Sequence, residues 1–217
     1  MSTVKRAPLT RDRILETGVE LADENGLAAL SMRKLAVRLG FEVMSLYNHV
    51  ANKGDLLEGM LDLVSREIED PPADATGWKA RLRCIAISAH EMLLRHRWAG
   101  ELWPHVFPGP ARWRYMESIL GLLEQAGLTG HERDLGFHAV TLHVTGFTQQ
   151  QLAYSVSNAD ARTSYARVEH ELPEQHYPLM NEHIRYHQDM DAIPGERPDD
   201  FRFVLDLILD GLDRSSA

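Results

Sequence analysis

The sequence predicts an all-α protein: an N-terminal helix-turn-helix domain of three helices, followed by a larger C-terminal helical bundle that dimerises. Three observations carry this. Met32, Leu35, Ala36 and Leu39 recur at i, i+3, i+4 and i+7, and Gly40 then separates them from a second short apolar segment. Pro71-Pro72 breaks a helical pattern and divides the chain into residues 1–70 and 71–217. The last helix, Asp199 to Arg214, carries apolar residues on two faces, where a surface helix of a monomer needs one.

Met1 to Leu9 is polar and basic and contains Pro8, which reads either as a mobile arm that follows phosphates or as an ordinary disordered terminus. Thr10 to Asn25 is a helix with Ile14, Leu15, Gly18, Leu21 and Ala22 on one side, closed by Asn25-Gly26. Gly18 should weaken it by roughly 0.5–1 kcal/mol relative to Ala. Ser31 can N-cap the next helix, and Gly40, in a left-handed conformation, lets the chain turn sharply into a second short helix. In that helix Leu46, Tyr47 and Val50 share a face. Two helices crossing steeply about a tight turn leave the second standing proud, at a width that fits a DNA major groove. Asn52 and Asp55 have N-cap and N3 spacing for a further helix striped by Leu57, Met60, Leu61, Val64 and Ile68, which the proline pair should end.

In the body, Trp78 to Arg97 reads as a long helix. Trp98 to Pro110 is a broken segment in which Trp103, His105 and Phe107 lie among three prolines, either as plugs of a core or as a ligand wall. Arg112 to Ala126 follows, stopped by Gly127 and Gly130. Leu135 to Ala159 has no Asp, Glu, Lys or Arg, yet its two His, three Thr and three Gln make it too polar for lipid. Such a helix should face a polar cavity or a partner subunit. Its small residues Gly136, Ala139, Gly146 and Ala153 form a stripe for close helix approach, so Ala139, Gly146 and Ala153 are candidate dimer-interface positions. Val204, Leu205, Leu207 and Ile208 of the last helix are the others. Trp103, Phe107, Trp113, His138, His143, Phe147 and Gln150, together with Gln149, are candidates for a pocket holding a small, largely apolar organic molecule.

Charge is divided unevenly. Residues 1–53 hold eight Lys/Arg against six Asp/Glu, which leaves +2 there, and the whole-chain charge of −9 then leaves −11 for residues 54–217. A mildly basic reader on an acidic body suits nucleic acid at one end only. The single Cys84 permits no internal disulfide and no apolar signal core opens the chain, so a cytoplasmic location is expected. His183 and His187 have i, i+4 spacing but no third ligand is fixed, so no metal is expected. No phosphate-binding glycine loop or nucleophile elbow occurs, no cofactor is expected, and an enzyme is not.

The order G-F-x-V-x-S-L-Y-x-H-V-x-N-K-x-x-L-L, preceded by S-M-R-K-L-A, resembles the TetR family of bacterial transcriptional repressors from about Ile14 to Leu61. FRFVLDLILDGLDR near the C-terminus looks like the tetracycline-repressor type of body. Met44, Glu42 and Gly18 depart from the usual pattern, and Glu42 makes a weak cap for the recognition helix. The resemblance implies that Ser45, Tyr47, His49 and Lys53 hold the DNA backbone, while Arg33, Val43, Met44 and Asn48 reach base edges. It implies a homodimeric repressor on a double-stranded DNA operator, released by a small organic effector, with no membrane association. A ligand-independent architectural DNA binder and a helical metal-binding enzyme are the alternatives.

Overall fold

The computed structural model describes residues 8–156, 173–188 and 198–215, and every regular element among them is helical. The chain forms two compact units, Met1–Phe137 and His138–Ala217. The helices of the first are α1 (Arg11–Asn25), α2 (Met32–Leu39), α3 (Val43–Leu46), α4 (Lys53–Ser65), α5 (Gly77–Arg95), α6 (Arg97–Leu102) and α7 (Pro110–Gln125). Helix α8 (Gly130–Val156) begins there and continues into the second unit, which adds α9 (Pro178–Gln188) and α10 (Pro198–Ser215). Helix α4 packs on α1 and also on α5, α6 and α7, so the reader shares a compact unit with the first body helices.

Local signals set the reader's helices. Thr10 Oγ1 accepts from the Arg13 amide at 3.3 Å, Ser31 Oγ from that of Lys34 at 3.2 Å, and Asn52 Oδ1 from that of Asp55 at 3.0 Å. Gly40 closes α2 with φ 68°, ψ 38°, the left-handed turn a side chain would strain. Ile14, Leu35, Leu46, Leu56, Met60 and Leu61 are fully buried. Each contributes on the order of 1.5–3 kcal/mol by leaving water. Gly18 is explained by packing, because a Cβ there would lie 2.8 Å from Met60 Sδ; the glycine lets α1 and α4 approach.

Helix α4 departs from its expected form twice. Leu56 is buried where Leu57 was expected to be, and the helix stops at Ser65, well before the prolines. Ser65 Oγ donates to the Leu61 carbonyl at 2.6 Å, and the following amides of Arg66, Glu67 and Ile68 bond three residues back in tightened turns. A joint to α7 sits close by. Asp62, 8% exposed, accepts from the Ala111 amide at 2.7 Å and so caps α7 from another helix.

The segment expected to be broken from Trp98 to Pro110 begins with α6, in which Trp98 is buried. Its irregular remainder is fastened by Arg112, whose guanidinium donates to the carbonyls of Trp103 (2.7 Å) and Val106 (2.9 Å) and lies 4.5 Å from the Trp103 ring.

In the second unit Phe201, Leu205 and Leu209 are buried at i, i+4 and i+8, together with Val140 and Val144 of α8. His143 stacks on Phe201 at 4.6 Å and its Nε2 meets the Phe201 carbonyl at 3.0 Å, while Phe147 meets the same ring edge-on at 5.5 Å. This regroups the last helix. Leu205 belongs to the core of its own subunit and leaves the candidate interface, whereas Val204 joins Phe203 and Leu207 on the exposed face. Thr141, Thr145 and Thr148 donate to carbonyls of their own helix, so their hydroxyls need no polar cavity. No helix among the described residues is long and apolar enough to cross a membrane.

Candidate nucleic-acid interface

Helix α3 is one turn long and starts at Val43, after an N-cap Glu42 whose side chain makes no cap. Leu46 (0% exposed) and Val50 (1%) anchor it inward. Tyr47 does not share their face as expected; it is 41% exposed, and Met44 is 73% exposed. Arg33, Lys34, Asn48 and Lys53 are exposed as well, and Val43, Ser45 and His49 are half-buried. The eight expected reader positions therefore divide into five open side chains and three at the margin of the core, on α2, α3, the turn that follows and the first residue of α4.

The turn after α3 is held by a contact that sequence reasoning missed. Arg11, the first residue of α1, donates to Asp55 at 2.5 and 3.0 Å and to the His49 carbonyl at 3.0 Å. Asp55 also accepts from the Ala51 amide at 2.7 Å. One carboxylate thus joins the start of α1, the exit of α3 and the first turn of α4. No spacing rule links positions 11 and 55, although Asp55 was visible as an N3 residue. Arg38 is likewise committed, donating to both Glu24 oxygens at 2.6 and 2.8 Å and bracing α2 on α1.

The Arg11 guanidinium holds the Asp55 carboxyl below its ordinary range. Because the folded value is the lower one, this contact's stabilisation is present above the ordinary aspartate range and disappears as pH falls through the folded value. Acid should therefore loosen the wild-type reader at roughly pH 4 and below. Asp55→Asn should already be less stable at neutral pH and should show less of this acid sensitivity in circular dichroism; an unchanged acid transition would count against it.

The other expected positions fall in both units. In the first, Trp103 is half-buried against Tyr115, while Phe107 (72% exposed) and Trp113 (49%) pair edge to face at 5.9 Å. In the second, His138, Gln149 and Gln150 are exposed, and His143 and Phe147 are partly covered through their contacts with Phe201. Burial holds His143 below the usual imidazole range. Ala139 and Ile208 are half-buried, and Gly146 and Ala153 are exposed. His183 is exposed on α9; the side chain of His187, and residues 157–159 of the uncharged run, lie outside the described residues.

Residues 14–60 match the family described as bacterial regulatory proteins, tetR family, and residues 71–215 match the tetracyclin repressor-like C-terminal domain. The chain belongs to the TetR family. This TetR-family member is a DNA-binding transcriptional regulator. It is 35% identical to the HTH-type transcriptional repressor DrrR1 of Streptomyces coeruleorubidus over 216 residues, 94% of this chain and 77% of that one. It is 28% identical to the tetracycline repressor protein class D of Escherichia coli, over 88% of this chain and 84% of the relative. The crystal structure of ActR of Streptomyces coelicolor in complex with actinorhodin superimposes with a TM-score of 0.80 at 29% identity, covering 97% of this chain and all of that one.

Proposed function

We propose that this TetR-family regulator is a homodimeric repressor that holds a palindromic operator and releases it when a small organic molecule enters residues 71–217. The observation that carries the reading is the open edge made by Arg33, Met44, Tyr47, Asn48 and Lys53 over a fully buried Leu46. In this reading Arg33, Val43, Met44 and Asn48 meet base edges, and Ser45, Tyr47, His49 and Lys53 hold phosphates. Exposed apolar groups support a second subunit: Leu142 on α8, and Phe203, Val204 and Leu207 on α10, are 36–66% exposed in one chain. The body's part in binding a ligand is supported by the ActR complex with actinorhodin and by the exposed pair Phe107 and Trp113. Release requires the ligand to prefer an arrangement other than the DNA-bound one, since equal affinity for both would shift nothing.

Selection of bound fragments from random DNA tests the reading, with a palindrome as the expected outcome. On the selected site, Arg33→Ala should lose roughly 1–3 kcal/mol per half-site and relax preference at one base position. Lys53→Ala should weaken all sequences alike and reduce the salt slope by about one per subunit. Uniform loss from Arg33→Ala would reassign Arg33 to phosphate, and an asymmetric selected site would overturn the dimeric reading.

A further inference from the structure

His96, at the joint of α5 and α6, is 9% exposed and stands between two carboxylates. Its Nδ1 lies 2.9 and 3.0 Å from the oxygens of Asp23, on α1, and its Nε2 lies 3.0 Å from Oε1 of Glu67, in the turn after α4. The other groups facing this knot are donors. The Trp98 indole, from α6, donates to Asp23 at 2.6 Å, and Arg95, from α5, donates to Glu67 Oε2 at 2.9 and 3.2 Å. Neither carboxylate is among the eight positions assigned to DNA.

Carboxylates only accept, so each ring nitrogen needs a proton to bond its partner. A neutral imidazole has one N–H, and its other nitrogen would turn a lone pair toward a carboxylate oxygen. The full set of contacts exists only for imidazolium. Those contacts reach across 73 residues to the reader's first helix and across 29 to the end of its last.

We propose that His96 is a proton-dependent buckle. As imidazolium it ties α1 and the end of α4 to the α5–α6 joint, and losing its proton frees one of these ties, loosens the reader and weakens operator binding. A reader held in place surrenders less freedom on binding than one that must be ordered by the DNA. His96 is thus a positioning residue that acts through α1. The DNA arm of the test rests on the operator-binding reading; the other arm does not.

Two measurements on the full-length protein decide it. Amide exchange in α1 and the indole N–H resonance of Trp98 should change as pH is raised, over the range in which the His96 ring loses one N–H. Glu67→Gln, at a position whose side chain is 41% exposed, should remove most of this dependence, because the glutamine amide can donate to a neutral ring. In the second measurement, affinity for a DNA fragment selected by the protein itself should fall by roughly fivefold or more over the same range. His96→Gln and Glu67→Gln should flatten that fall, while His49→Gln removes any separate contribution of His49. A wild-type His96 with one N–H throughout, or exchange and binding profiles identical in wild type and Glu67→Gln, would overturn the proposal. Failure to bind any DNA, with the exchange profile as expected, would overturn the loss of operator affinity and leave the buckle itself supported.

Discussion

Leu205→Glu is expected to unfold the second unit, whereas Leu207→Glu, two residues on, should leave it folded and separate the subunits. Leu205 is 0% exposed beside Phe201 and Leu209, and Leu207 is 57% exposed on the opposite side of α10. A carboxylate at 205 would lie in an apolar core without a partner, a loss of roughly 4 kcal/mol or more. At 207 it would remain in water in the single chain and meet its disadvantage only against another subunit. Thermal unfolding separates the first effect and sedimentation the second. A Leu207→Glu protein still dimeric at micromolar concentration would place the interface elsewhere, and an unaltered melting curve for Leu205→Glu would contradict the packing of α10.

Gly109→Ala should be the most damaging methyl addition in the first unit. The new Cβ would lie 2.6 Å from Asp62 Cγ, so the carboxylate must leave the Ala111 amide or α7 must withdraw from α4. Either outcome removes a buried charge-assisted hydrogen bond, at a loss of roughly 2–4 kcal/mol. Asp62→Asn retains an acceptor and should lose about 1 kcal/mol. Denaturant midpoints followed by tryptophan fluorescence would show the difference; a Gly109→Ala protein unfolding at the wild-type midpoint would mean that α7 is not capped by Asp62.

What could be read from the sequence was local. Ser31, Gly40 and the Asn52/Asp55 pair act within four residues of themselves, and each stands in the structure as its spacing implied. Phase was less legible wherever apolar residues crowd more than one face. Leu56 and Leu57 are both leucines, so nothing in the pattern says which one turns inward; Val204 and Leu205 pose the same ambiguity on α10. Contacts between distant positions left no trace in spacing. Arg11 with Asp55, Asp62 with the backbone amide of Ala111, and Asp23 with His96 are polar contacts that depend on how helices meet, and in the sequence their side chains read as ordinary surface or capping chemistry. The end of α4 was hidden for a related reason, since Ser65 stops it by bonding back to Leu61, whereas the prolines that looked responsible lie farther on.

The internal commitment of Arg11 and Arg38 also bears on how the regulator finds its site among all other DNA. Each phosphate neutralised releases nearly one counterion, and that release supplies most of the attraction that does not depend on sequence. Two of the eight cations in residues 1–53 face Asp55 and Glu24 instead. Compared with a reader whose cations all met phosphate, this one grips random DNA less firmly and leaves it sooner. A larger share of its discrimination must then come from the base-reaching edge around Met44, so that fewer molecules are held on the many competing sites of a genome.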